Sequence, residues 1–181
     1  MRKIRRLGLS LVLAVAMLVA FALPVGAANP TVGITVTAQV VSITNSQDTW
    51  GIGTVLVDAV VYFSATGAQD DDYSLITNTG NVHADVEIQG VNIEGGTYDW
   101  TLSNTGTAGI ETYALKANSV ATPTVYDVLV KSASYGDLST DLGEGLTQTW
   151  SMQFTAPSGF NAADDGAQKS ATITLVASKH T

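Results

Sequence analysis

The sequence predicts an all-β protein: a single antiparallel β-sandwich of Greek-key or jelly-roll type, with eight to nine strands, after an N-terminal signal peptide. Three observations support this prediction. Apolar and polar residues alternate at a period of two after residue 28, and no stretch keeps a 3.6-residue apolar period. Turn sequences such as "NTGN" at 78–81 and "PSGF" at 157–160 separate the alternating runs. A closed barrel is the alternative architecture.

A signal peptide is predicted over residues 1–28. Four basic residues in the first six positions precede an apolar run at 7–23, and Gly26, Ala27 and Ala28 supply small residues for cleavage. We therefore expect residues 29–181 to form the β-sandwich domain, exported to the cell surface or beyond. A retained membrane anchor is one alternative. A prepilin leader cut after Gly8 is another, but it puts leucine where bacterial pilins usually keep glutamate.

The first strand is predicted directly after the cleavage site, within "PTVGITVTAQVV" at 30–41. Its inward face consists of alternate apolar residues, which are Val32, Ile34, Val36, Ala38 and Val40. The apolar phase changes at Val40 and Val41, which indicates a bulge. The next run, 53–65, is apolar on both phases and is predicted to be a central strand or one covered on both faces.

Six further strands follow from the same alternation, around residues 82–89, 98–102, 113–117, 126–130, 150–154 and 171–177, and a short one at 73–76 would make nine. Trp100 and Trp150 share the phase of their aliphatic neighbours and are expected in the core. Trp50 precedes the central run. We expect it to be exposed, and it is the candidate glycan contact.

The charge of the exported region is strongly acidic. Four of the eight basic residues lie in the leader and all sixteen acidic residues lie after it, which leaves 4 − 16 = −12 with no arginine. Such a surface disfavours nucleic acid and anionic membranes as partners. No cysteine is present, so no disulfide contributes to the fold.

We expect no enzymatic activity. Without cysteine, and with only His83 and His180 as histidines, the chain lacks a credible Ser-His-Asp or Cys-His set. A pair of glutamates could in principle hydrolyse glycosides. Each of the four glutamates, however, falls on a predicted solvated strand face or loop.

Two acidic loops, "QDDDYS" at 69–74 and "NAADDGAQ" at 161–168, are candidate calcium sites because Ca²⁺ takes carboxylate and carbonyl oxygens. The candidate ligands are Asp70, Asp71, Asp72, Asp164 and Asp165. Neither loop has EF-hand spacing. The alternative is that these aspartates only form turns and keep the surface soluble.

Two family resemblances rest on short motifs. "DWTLSNTG" at 99–106 and "TWSMQFTAP" at 149–157 resemble the paired Trp-x-Leu motifs of WxL cell-surface domains, with Met152 in place of the second leucine. "VVYFSAT" at 60–66 and "ITNTGNVHADVEI" at 76–88, after the leader, resemble camelysin-like biofilm-matrix fibre proteins. The first resemblance implies binding to a Gram-positive cell wall, and the second implies exported jelly-roll subunits that polymerise.

The sequence therefore favours a secreted structural protein of the cell surface or extracellular matrix, a homo-oligomer or polymer that uses its opening strand for subunit contacts. A strand with unpaired edges can fill a groove in a neighbouring copy. The alternative is a non-catalytic module that binds cell-wall glycan or other carbohydrate. We expect no stable membrane insertion after cleavage of the leader.

Overall fold

The computed structural model describes residues 35–63, 73–164 and 166–181, and these residues form an all-β fold. The predicted signal peptide, Val32, Ile34 and the Asp70–Asp72 loop lie outside the described residues. Residues 38–181 belong to one compact unit, and the described residues 35–37 belong to another.

Ten strands and one 3₁₀ turn are present among the described residues. The strands are β1 (Ile43–Asn45), β2 (Val60–Phe63), β3 (Ser74–Asn78), β4 (Ala84–Gln89), β5 (Thr101–Leu102), β6 (Thr112–Asn118), β7 (Val128–Val130), β8 (Gly136–Leu142), β9 (Thr147–Thr155) and β10 (Thr174–Lys179), and the 3₁₀ turn is Ala162–Asp164.

The strands form two sheets. The larger has the order β1-β3-β9-β6-β5, with β2 also on β9 and β7 also on β6, and the smaller has the order β10-β4-β8. Every strand pair is antiparallel except β5 with β6, which is parallel over two residues. One of the two sheets curls into half a barrel. The predicted antiparallel pairing is therefore confirmed outside that one short pair.

One hydrophobic cluster takes side chains from both sheets. The alternation predicted for β4 and β9 is confirmed, since each buries alternate apolar residues. The members from these two strands are Val86, Ile88, Trp150, Met152 and Phe154. Tyr113 of β6 is fully buried and donates its hydroxyl hydrogen bond to the Val91 carbonyl.

The opening strand differs from its prediction. Residues 35–42 are described, but none is assigned to a strand, and β1 begins only at Ile43. The backbone of 38–42 is instead bound by Thr79, Gly80 and Asn81, whose hydrogen bonds lie next to the β1–β3 pairing. Among the described residues, the predicted alternation up to residue 42 is therefore part of no assigned strand.

The central strand predicted at 53–65 was also wrong. Within the described part of this run, residues 53–63, Val60–Phe63 is the one strand, and β9 is its one partner among the described strands. Val60 and Tyr62 are exposed. Asp58 just before it has a left-handed backbone (φ 55°), which interrupts extended structure. Leu56 is 77% exposed, so the apolar run does not have two covered faces.

Strand β8 has no counterpart in the prediction. Its sequence "GDLSTDL" buries only Leu138 and Leu142, four positions apart. The register with β4 shifts on both sides of Val86, and Asp141 has φ 59°. Each of the two shifts places one extra residue on β8, and these bulge-like irregularities hide the period of two.

Candidate functional site

The apolar residues of the segment predicted for subunit contacts are exposed where they are described. Val36 is 83% exposed and Val40 is 50% exposed, and Ala38 between them is also exposed. Exposed valines at alternate positions are typical of a strand that would bury one face against a sheet. Val32 and Ile34, the other two predicted contacts, lie outside the described residues.

Asn81 holds the end of this segment. Its side-chain nitrogen donates to the Ala38 carbonyl at 2.7 Å, and its side-chain oxygen accepts from the Val40 amide at 2.7 Å. The Asn81 amide donates to the Val40 carbonyl at 3.0 Å. One asparagine therefore fixes three backbone groups of residues 38–40. Sequence reasoning treated "NTGN" only as a turn, so it missed this role.

The two edge strands of the smaller sheet, β8 and β10, differ in the regularity of their pairing with β4. At one edge, β8 carries the irregular register and the charged residues Asp137 and Asp141, features that discourage further strand pairing. At the other, β10 pairs with β4 in unbroken register over all six of its residues, and β4 is its only partner among the described strands. The outer edge of β10 is thus regular and free of bulges.

Trp50 is half-buried rather than exposed. Its ring packs on Phe63, with ring centroids 5.4 Å apart, and it contacts the core cluster. Trp150 is buried in the core as predicted, whereas Trp100 is half-buried and stacks on Phe160 at 5.0 Å. Trp50 therefore offers a ligand only part of its surface.

The aspartate loops yield no described metal site. Asp70, Asp71, Asp72 and Asp165 lie outside the described residues, and Asp164 closes the 3₁₀ turn with its side chain undescribed. Within the described ranges, no group of three or more His, Cys, Asp or Glu side chains has an arrangement that holds a metal ion. The calcium prediction stays a prediction.

A shallow groove of about 400 Å³ lies on the larger sheet beside the 123–126 loop. Its aromatic floor is formed by Tyr62 and Tyr126, whose stacked rings have centroids 5.7 Å apart. Gln153 donates to the Tyr62 hydroxyl at 3.4 Å. Polar and aliphatic groups complete the lining, namely Lys116, Pro123, Thr124 and Val125. Neither tyrosine was singled out in the sequence, because the two lie 64 positions apart.

Both histidines meet two aspartates at one end of the smaller sheet; we call these four residues the His–Asp cluster. His83 Nδ1 lies 2.5 Å from Asp141 Oδ1, and His180 Nδ1 lies 2.7 Å from Asp85 Oδ1. His180 Nε2 is 3.8 Å from Asp141 Oδ1. The side chain of His83 is 61% exposed, yet its ring pairs with Asp141.

The cluster shifts the pKa values of three of its members. Hydrogen bonds from the Asp141 amide and from His180 lower the pKa of Asp85. The hydrogen bond from His83 lowers the pKa of Asp141. The hydrogen bond to Asp85 raises the pKa of His180 above its usual 6.5. The arrangement favours a charged imidazolium between two carboxylates.

Comparison of this chain with protein-family models, curated proteins and solved structures found no match. Among the described residues, no helix is long and apolar enough to span a membrane.

Proposed function

We propose that this protein is an exported structural subunit that assembles head to tail, by adding the segment around residues 32–40 of one copy to a sheet edge of the next. The observation that carries the proposal is the exposure of Val36, Ala38 and Val40 on one alternating face outside any described strand. Burying each valine contributes about 1.5–3 kcal/mol, and this free energy favours pairing of the segment with a sheet.

The acceptor in this proposal is the outer edge of β10. A donated strand gains main-chain hydrogen bonds from the open edge and places alternate side chains against the core. Since β10 runs six residues without a bulge, whereas β8 is irregular and acidic, the β10 edge is the better template. Contacts between two different patches on identical subunits produce open filaments unless the rotation closes a ring.

The domain in this proposal is a β-sandwich that acts as rigid building material. The core shared by the two sheets supports that architecture. An acidic exported region without arginine supports a soluble subunit that stays dispersed until a specific contact forms.

The test begins with the exported form of the chain, whose N-terminal residue is determined by mass spectrometry. Negative-stain electron microscopy and sedimentation should reveal fibres or sheets. Replacing Val36 and Val40 together by aspartate should abolish them while leaving the far-ultraviolet circular dichroism unchanged. The matched control replaces Thr35 and Thr37 by aspartate, which adds the same charge to the opposite face and should preserve assembly.

Equal assembly by both double variants would exclude the alternating face as the contact. Dispersed monomers of the unaltered chain over a wide concentration range would reject the filament altogether. Repeating the experiment with Ca²⁺ and with chelator tests the aspartate loops, because only a calcium-dependent contact would lose its fibres in chelator.

A second candidate function, a non-catalytic carbohydrate-binding module, is favoured by the Tyr62–Tyr126 groove. Aromatic faces pack on the apolar faces of sugar rings, while Lys116 and Gln153 can hydrogen-bond to hydroxyls. Calorimetric titration with soluble peptidoglycan fragments tests this function. Tyr126→Ala should abolish any heat of binding, and Tyr135→Ala, at an exposed tyrosine outside the groove, should leave it unchanged. No saturable heat with the unaltered chain would reject it.

A further inference from the structure

We propose that the His–Asp cluster is a pH-sensitive clasp that fastens the C-terminal end of β10 to β4 and β8. The inference concerns attachment within one chain, so it does not depend on assembly. The first observation behind this inference is that the four residues come together from three different strands or from the residues next to them. His83 directly precedes β4, Asp85 lies on β4, Asp141 lies on β8 and His180 directly follows β10.

The backbone around the cluster is arranged to bring these groups together. Asp141 has a left-handed conformation, uncommon for a residue other than glycine, at the irregular end of the β4–β8 register. Its amide donates to Asp85 Oδ1 at 2.9 Å, and the His180 amide donates to the His83 carbonyl at 3.0 Å. Strands β4 and β8 and the residue that directly follows β10 therefore all take part in these hydrogen bonds.

Other charged groups on these strands lie outside the cluster. Glu87 of β4 and Asp137 of β8 are register partners farther along the sheet, Lys179 ends β10, and Glu144 lies in the turn after β8. The charges that act on His180 are those of Asp85 and Asp141. Two carboxylates facing the imidazole bind its protonated form more strongly than its neutral form.

The sign of the pH dependence follows from these shifts. Because the pKa of His180 is raised in the folded chain, protonation of His180 stabilises the fold below pH 6.5, which is its pKa in the unfolded chain. This stabilisation is lost as the pH rises through the pKa of the folded chain. Because the pKa values of Asp85 and Asp141 are lowered in the folded chain, their ionised carboxylates stabilise the fold above pH 3.8, which is their pKa in the unfolded chain. This stabilisation is lost as the pH falls through the pKa values of the folded chain. The clasp is therefore tightest between about pH 4 and pH 6.5 and loosens on either side.

The experiment is an NMR titration of the histidine rings in the full chain, together with urea unfolding at pH 6 and pH 8. We expect a pKa above 6.5 for His180 that returns toward 6.5 in Asp85→Asn. We also expect higher amide protection of residues 174–179 at pH 6, after correction for intrinsic exchange. His180→Gln should reduce the difference in urea midpoint between the two pH values. Asp137→Asn, on β8 but outside the cluster, should not.

Three results would overturn the proposal. The first is a His180 pKa at or below 6.5 in the unaltered chain, which needs no variant to measure. The second is identical protection of residues 174–179 at both pH values. The third is saturable binding of one equivalent of Zn²⁺ that depends on His180, because the four residues would then form a metal site rather than a proton-controlled clasp.

Discussion

The indole nitrogen of Trp150 donates a hydrogen bond to the side-chain oxygen of Asn45, 3.0 Å away and 105 positions distant in sequence. The same oxygen accepts from the hydroxyl of fully buried Ser74 at 2.7 Å. β1 therefore satisfies two donors on β9 and β3. Because an unsatisfied buried donor is costly, this contact fixes β1 at the edge of the larger sheet.

Asn45→Ala should lower the free energy of unfolding by about 1–2 kcal/mol, because two donors lose their acceptor. Asn45→Asp keeps an acceptor at the same position and should lower the free energy of unfolding by a smaller amount. Thr44→Ala, at an exposed neighbour in β1, serves as the control and should change stability by less than about 0.5 kcal/mol. Urea denaturation followed by Trp fluorescence measures all three. An equal loss in the alanine and aspartate variants would contradict the assigned role of the acceptor.

Asn78→Ala should be more destabilising, by about 2–4 kcal/mol. The Asn78 side chain is fully buried, donates to the carbonyls of Val82 and Leu142 at 2.8 Å each, and accepts from the Gly80 amide at 2.9 Å. Its loss leaves buried backbone groups without partners. Thr79→Ala, one position along on the surface, should have a small effect. Thermal unfolding that ranks the two variants in the opposite order would refute this prediction.

Gly80→Ala should displace the segment at residues 40–42. A Cβ at Gly80 would lie 2.2 Å from the Val40 carbonyl oxygen, closer than any real contact, and the obstacle is backbone. We expect a loss of at least about 2 kcal/mol in the free energy of unfolding, typical of forced overpacking. Gly51→Ala is the matched control, since nothing lies within 4 Å of its added Cβ. Similar stability of the two variants would contradict the predicted close approach.

Asn81→Ala should free residues 38–40 from the rest of the unit without unfolding the core. Two hydrogen bonds between Asn81 and this segment use the Asn81 side chain, and a third uses its backbone amide. Limited proteolysis with mass spectrometry should find faster cleavage before residue 43 and unchanged protection of β9. Asn118→Ala, which removes a side chain bound to the 125–127 loop, is the control. Unchanged cleavage near residues 38–40 would mean that Asn81 does not hold the segment.

Alkaline conditions should destabilise the fold through Tyr113. Burial raises the pKa of this phenol well above its ordinary value of 10. As the pH passes 10, the unfolded chain loses a proton that the folded chain keeps, so the free energy of unfolding falls. Tyr113→Phe should show a smaller decline between pH 9 and pH 11, although it starts lower for lack of the bond to Val91. Parallel pH profiles for the two proteins would disprove the assignment.

The sequence alone determined that the fold is all-β and predicted much of the core. The alternation in β4 and β9 predicted which residues are buried, because a period of two leaves one face of a regular strand in the core. It failed at β8, where the irregular register with β4 breaks the repeat. It also failed at 53–58, where apolar residues remain exposed and Asp58 turns the backbone.

The candidate sites depended more on tertiary structure. The sequence by itself determined that the chain is acidic, lacks cysteine and carries an apolar alternating segment near its start. Only the fold decided that His83 and His180 meet the same two aspartates, that Tyr62 stacks on Tyr126, and that Asn81 holds residues 38–40. Alternation and turn chemistry are local properties that neighbouring residues encode. The pairing of residues 40 to 100 positions apart is set by strand order and register, which local patterns do not specify.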